Sequence, residues 1–328
     1  MRLVLATLLL AACSAGVPLA TKQRGISFAA AHPRFGTYGT EQSAAALDDV
    51  RNLGADWISI MPFGFHSGTP DLRFGGARIW ETDESLAAVT RQAHERGLKV
   101  MLKLHVWGRA ELKMDTWTAS EWRAWFDDYG NFVEHYARIA RDTRADALCI
   151  GNEQKIASRH EAEWRRIIAR ARAIYDGPIT YGANFDEVFD VPFWDAVDWI
   201  GVSGYFPLDD AATPDRATLI RAWQPVLAKL EALATKRRKP VLFTEIGYRS
   251  ADGAAWRQWE IARDAPLNPD AQRIAYEAFF ETVWPRPWVA GAYPWKWFSY
   301  RDHGSATSND YDFENKPAAD VIRRAYTH

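Results

Sequence analysis

Short continuous apolar runs alternate along the chain with longer stretches in which apolar residues recur every third or fourth position. The runs are Gly25 to Ala29, Ala55 to Pro62, Leu98 to His105, Asp146 to Glu153, Pro178 to Gly182, Val197 to Ser203, Lys239 to Glu245 and Val289 to Trp295. Runs of that length without polar alternation predict strands buried on both faces. The intervening stretches carry helix signals. Thr40 caps a helix through Leu53 that Gly54 stops, and Thr82 opens one through Arg96 that Gly97 closes. Thr118-Ala119-Ser120-Glu121 is a capping-box sequence, followed by Trp122, Phe126, Tyr129, Val133 and Tyr136 at helical spacing. Ser158 to Glu161 is read as a second box, ahead of Trp164, Ile167, Ile168, Ala171 and Ile174. A short helix is expected near Val188 to Trp194, and longer ones over Thr218 to Lys236, from Asn268-Pro269 to about Val283, and over Pro317 to Ala325.

Eight strand-helix units without repeats, low complexity or a linker predict a single-domain (β/α)8 TIM barrel. Loop lengths support closure. Entry into the third, fifth and seventh strands is short, through Gly97, Asp176-Gly177 and Arg238-Lys239, whereas exits from most strands are long and carry Trp, Tyr, His and Asp. A barrel places its active-site loops at the C-terminal ends of the strands. A doubly wound open sheet would more naturally show a glycine-rich first turn, and the segment after Phe28 has none.

The 328 residues, 48% hydrophobic and 25% charged with net charge -2, suit one large domain and exclude disorder; balanced charge gives no general attraction to nucleic acid. With 16 Trp, 12 Tyr and 16 Phe the composition leans mildly toward a carbohydrate site. Residues 1–12 form a lipoprotein-type signal peptide: a minimal basic start and an apolar run ending in Leu10-Ala11-Ala12-Cys13. Lipidation is expected at Cys13, residues 13–24 are expected to be the tether, and residues 25–328 the barrel. That places the protein on a bacterial cell envelope, with the outer membrane preferred because no acidic residue follows the cysteine; an ordinary secretory signal cut near Ala20 is the other reading. A monomer is expected. Cys149 is left without a partner inside an apolar strand and reads as a small buried hydrophobe.

Two strands each deliver a carboxylate to the C-terminal end: Glu153 after Asn152, and Glu245 within Phe243-Thr244-Glu245-Ile246-Gly247-Tyr248. Across a barrel mouth they suit glycosidic cleavage, one protonating the leaving oxygen and the other attacking the sugar or activating water. A separation of about 5 Å gives retention and roughly 6.5–9.5 Å inversion. Asn152 and Tyr205 are placed to tune the pair. His105 and Trp107 are candidates to line the pocket, as is Lys103 by alternation with His105. Asn184 is either a ligand or a cap, and Trp256 and Trp259 either wall distant subsites or pin their loop. Asp302, His303, Asp310 and Asp312 match no metal-ligand spacing and are expected to face solvent; no metal or cofactor is required.

The Asn-Glu ending strand four, the Glu ending strand seven and an aromatic near the end of strand eight resemble the clan of retaining (β/α)8 glycoside hydrolases. Within it, Phe243 to Tyr248 together with Trp295-Lys296-Trp297-Phe298 is most similar to family 113, the β-1,4-mannanases. The resemblance implies Glu245 as nucleophile, Glu153 as general acid/base, Asn152 on the sugar 2-hydroxyl, Tyr205 holding the nucleophile, and Trp295 (or Trp297) as the floor beneath the reacting sugar. It implies a β-linked glycan substrate and an endo-β-1,4-mannanase. An exo-β-glycosidase on the same barrel and a non-catalytic carbohydrate-binding lipoprotein are the alternatives.

Overall fold

The protein is described by a computed structural model over residues 22–30, 38–66, 70–75, 81–108, 113–301 and 304–328. The segment expected to be a signal peptide, and Cys13 with it, lies outside these residues. Its strands are β1 (Gln23–Ala29), β2 (Trp57–Ile60), β3 (Phe63–His66), β4 (Lys99–Lys103), β5 (His105–Gly108), β6 (Ala147–Asn152), β7 (Ile179–Asn184), β8 (Trp199–Ser203), β9 (Val241–Ile246) and β10 (Val289–Phe298). Eight of them close into a parallel barrel in the order β1-β2-β4-β6-β7-β8-β9-β10, with β10 returning to β1. Every barrel strand is covered on both faces, which is why the sequence shows runs rather than alternation. Trp57, Met101, Cys149, Leu242 and Tyr293 pack together as one cluster, and a far larger cluster joins the strands to the helices. The Cys149 thiol is fully buried, and burial pushes it up to about 11, so it is inert.

The helices among the described residues are α1 (Glu41–Asn52), α2 (Asp83–Glu95), α3 (Ala119–Thr143), α4 (Glu161–Arg172), α5 (Arg216–Arg237), α6 (Pro269–Thr282) and α7 (Pro317–Thr327). Thr40, Thr82 and Asn268 cap as expected, and Thr118 with Glu121 closes a complete capping box. Ser158 does not cap. Its hydroxyl donates to the Lys155 carbonyl within a 3-10 turn, and His160 takes the N-cap position without a side-chain bond.

Other departures have physical causes. No α-helix joins β7 to β8; only the 3-10 turn Trp194–Ala196 is regular there. Phe193 and Trp194 are both buried, and Phe193 stacks on Trp164 of α4 at 5.3 Å, so two aromatic rings fill the space a helix would take. β1 begins at Gln23, inside the stretch expected to be tether, because Gln23 and Arg24 already pair with Gly291 and Ala292. Just past the second run, and from the last residue of the third, the chain leaves the barrel as β3 and β5, which pair with each other. Among the described residues no helix is long and apolar enough to cross a membrane.

Candidate active site

Three barrel strands carry an extra residue at their C-terminal ends, which re-aims the side chains there. On β9, Val202 pairs with Phe243 but Ser203 with Glu245, so two residues of β9 oppose one of β8. On β6, Cys149 pairs with Thr180 and Asn152 with Gly182, and on β10 the pairs Ser27–Trp295 and Phe28–Trp297 skip Lys296. A bulge breaks strict alternation at a rim. Thr244 therefore faces the space above Gly182, while its neighbour Glu245 also reaches the mouth. Carbonyls disturbed on β6 find new donors: Tyr129 Oη gives a 2.9 Å bond to Ile150 O, and Cys149 Sγ lies 3.3 Å from Gly151 O.

Glu245 is buried and its carboxylate is held from both sides. Lys103 Nζ donates to Oε1, and to the Thr244 carbonyl at 3.3 Å; Tyr205 Oη donates to Oε2 at 2.7 Å. Burial by itself would raise the Glu245 carboxyl, but the Lys103 ammonium and the two hydrogen bonds outweigh it and hold the group below the usual carboxylate range. His105 Nε2 stands 3.6 Å from Oε1. Burial, and then the Lys103 charge, push the imidazole down to about 3, so at neutral pH it is an uncharged neighbour and the charge balance rests on Lys103. The Tyr205 hydroxyl is pushed well above its ordinary value by burial and by Glu245, so it stays a donor.

Lys103 is itself fully buried. Lys103→Met is expected to destabilise the fold by about 3 kcal/mol, the lower end for breaking a buried pair, and to raise the Glu245 carboxyl. Chemical denaturation and a pH–rate profile check both: the acid limb moves to higher pH. An unmoved limb would mean that Lys103 does not set the state of Glu245.

Glu153 follows β6 with φ 56°, a left-handed backbone that few non-glycine residues adopt. Its N–H still donates to Gly182 O at 2.8 Å, so the turn is anchored while the side chain swings over the mouth. The residue is exposed at the mouth, with protein close around its carboxyl. Desolvation, followed by the charge of Glu245, pushes the carboxyl up to about 7, against the pull of Lys103. The strained φ yields a stability test. Glu153→Gly is expected to melt roughly 2 °C above Glu153→Ala, because only glycine adopts this conformation freely. Equal melting temperatures would remove the strain argument.

Asn152 Oδ1 accepts from the buried Ser203 hydroxyl at 3.1 Å, which fixes the amide so that its NH2 is the free edge. Gly182 makes room, since a Cβ there would lie 2.8 Å from Asn152 Oδ1 and 2.9 Å from Thr244 Oγ1. Trp295 is half-buried and stacks on His105, centroids 6.2 Å apart at 16°. Trp297 does not share this position. It is buried against Phe313 at 5.6 Å, on the packing side of β10, so it is not the floor of the mouth. Trp107 stands at the rim on β5, 67% exposed, with Phe65 against it at 6.4 Å. Asn184 is taken up locally: its Oδ1 accepts from Phe185 N at 2.9 Å, so it caps a turn.

Sequence reading missed several groups near the pair. Glu187, buried, accepts from Tyr181 Oη at 2.6 Å and from Asn184 N at 3.0 Å, and the Tyr181 hydroxyl accepts from Gln154 N at 2.8 Å. This chain of bonds fixes the backbone just after Glu153. Tyr311 packs edge-on against Tyr205 at 5.9 Å, and Gly247 leaves space for Tyr311 and for Trp295. Only the last had a signal, a glycine directly after the seventh strand. Asp310 and Asp312 were expected to face solvent. Asp310 does face solvent in part, its side chain 43% exposed while it pairs with Lys296 at 2.9 Å, but Asp312 is buried against Lys316 at 2.9 Å because that loop folds back under Ser250. Asp302 and His303 lie outside the described residues. Among the described residues, no group of three or more His, Cys, Asp and Glu is placed to hold a metal.

A closed (β/α)8 barrel bearing a glutamate held ionised and a glutamate with a raised carboxyl at its mouth has the architecture of a glycoside hydrolase. Residues 26–316 match the profile of glycoside hydrolase family 113. The chain belongs to that family and is an enzyme, a retaining glycoside hydrolase. Among solved structures it is similar to a family 113 β-mannanase from Alicyclobacillus acidocaldarius, with 30% identity, 94% of this chain and 98% of that one covered, and TM-score 0.82. A second family 113 β-1,4-mannanase is 28% identical over 94% of this chain and 99% of its own, with TM-score 0.80. A β-glucuronidase from Ruminococcus gnavus, 13% identical over 93% of this chain and 50% of its own with TM-score 0.67, shares the fold alone. A search of curated proteins returns no match.

Proposed function

We propose that this enzyme is an endo-β-1,4-mannanase acting by double displacement, with Glu245 as nucleophile and Glu153 as general acid/base. The observation that carries the two roles is the split between the carboxyls: Glu245 held ionised by Lys103 and Tyr205, Glu153 raised to about 7 by desolvation and by Glu245 itself; double displacement draws on the family to which the chain belongs. Glu245 attacks the anomeric carbon as Glu153 gives its proton to the departing glycosidic oxygen. The covalent glycosyl-enzyme is then attacked by a water whose proton returns to Glu153, and the Glu245 carboxylate leaves. The free NH2 of Asn152 is offered to the sugar 2-hydroxyl, and Trp295, braced by His105, to the ring face.

The choice of mannan draws on the similar structures named as β-mannanases, matched along almost their whole length. Internal cutting draws on exposed aromatic rings on either side of the pair, Trp107 and Trp259, where a glycan would continue in both directions. Time-resolved product analysis on β-mannan tests both. Mixed short oligosaccharides appearing early, and absent with Glu245→Ala, are expected. Monosaccharide as the sole early product would replace endo by exo action. Release from xylan or β-glucan but not from mannan would overturn the substrate.

A further inference from the structure

The loops after β7, β8 and β9 are knitted into one wall. Leu208 N donates to Ala255 O at 2.8 Å, and Gly253 N to Ala212 O at 2.9 Å, binding the β8 loop to the β9 loop. Trp259, from the β9 loop, reaches past β8 and stacks on Phe185 of the β7 loop, with centroids 5.4 Å apart and planes at 22°. Phe185 in turn packs edge-on against the buried Phe206 at 5.7 Å, and Phe206 against the fully buried Trp223. The result is a rigid aromatic column rooted in the core whose last ring, Trp259, is 52% exposed. A ring braced from beneath and open above presents a flat apolar face at little entropic cost on binding.

Its position in the barrel says what that face meets. Glu153 follows β6, Glu245 lies on β9, and the line between them divides the mouth into two arcs. Trp295 and His105 occupy the arc through β10, β1, β2 and β4; the Phe185–Trp259 column occupies the arc through β7 and β8. Asp186, next to Phe185, is ion-paired with Lys155, two residues beyond Glu153, so the column is tied to the segment carrying the acid. On the roles proposed above, the sugar retained on Glu245 lies over Trp295. The departing sugar must therefore leave past Glu153, over the other arc.

We infer that Trp259, backed by Phe185, is the stacking platform for the sugar on the leaving-group side of the scissile bond. The inference rests on the carboxylate roles given above, not on mannan as such. It makes cleavage depend on glycan beyond the cut, and it makes Trp259 the site where an acceptor sugar would dock in the reverse, transglycosylation direction.

The test uses β-1,4-mannohexaose labelled at its reducing end, with xylohexaose and cellohexaose in parallel so that a wrong sugar does not mask the result. For whichever oligosaccharide the unmodified enzyme cuts, Trp259→Ala is expected to lower kcat/KM on the order of tenfold, the scale of losing one apolar contact face. It is also expected to shorten the labelled fragment, since a chain with less hold on the leaving side slides toward the other arc. Trp259→Phe, which keeps a flat ring, should restore most of both. A labelled-fragment pattern unchanged in Trp259→Ala, whatever its rate, would overturn the platform and leave the hydrolase reading standing. No cleavage of any of the three by the unmodified enzyme would overturn the endo-β-1,4-glycanase reading, and the platform with it.

Discussion

Glu245→Ala is expected to lose on the order of 10⁴-fold or more in kcat, and then to recover part of it with azide on an activated aryl glycoside. The loss follows from the role: without the carboxylate no covalent intermediate forms, and groups acting as one unit fail together when one is removed. The rescue follows from the geometry. Truncation leaves a small anion-sized space against Lys103 Nζ and Tyr205 Oη, the same two donors that hold the carboxylate. Azide entering there attacks from the nucleophile's side and yields a glycosyl azide of inverted anomeric configuration, identifiable by NMR. Because Lys103 is left buried without its partner, the variant is also expected to be less stable, so Glu245→Gln serves as a second form that keeps an acceptor for Lys103. A variant that has only lost its fold gains nothing from azide. Inactivity without rescue, in a folded variant, would take the nucleophile role away from Glu245.

Glu153→Gln is expected to split the substrates. On a glycan, whose leaving oxygen needs a proton, the loss is roughly 10²–10⁴-fold, the range for a general acid; on an aryl glycoside with a good leaving group the first step is nearly unaffected. The pH dependence gives the same residue a second signature. The working form needs Glu245 ionised and Glu153 protonated. Activity therefore rises as pH climbs through the lowered Glu245 value and falls as it passes the Glu153 value of about 7. In kcat/KM this is a bell with its basic limb near neutrality. Glutamine cannot titrate, so that limb disappears in the variant while the acid limb stays. A basic limb that survives in Glu153→Gln belongs to another group, and the acid assignment would fall with it.

Much of this enzyme was written in patterns with a local cause. Buried parallel strands need apolar character on both faces, so eight runs marked eight barrel strands. Thr40, Thr82, Thr118 and Asn268 cap because a side-chain oxygen must meet the free N–H groups of a helix start, a requirement satisfied within four residues. The same local logic failed at Ser158, where a 3-10 turn took the hydroxyl first. It left Trp295 and Trp297 both open, because a single extra residue on β10 decides which tryptophan faces the mouth and which the core. Strand patterning has period two, so one unmarked bulge exchanges inside and outside.

What the sequence determined by itself was therefore the barrel, the end of it that carries chemistry, and the two glutamates at the ends of β6 and β9. What only the tertiary structure decided was their state. That Lys103 from β4 neutralises Glu245, that Tyr205 shares it, that His105 lies beside it uncharged, and that Glu187 braces the turn after Glu153 are all relations between strands distant in sequence. A carboxyl's proton affinity is set by the water removed and the charges brought within a few ångströms, and those quantities exist only once the barrel has closed.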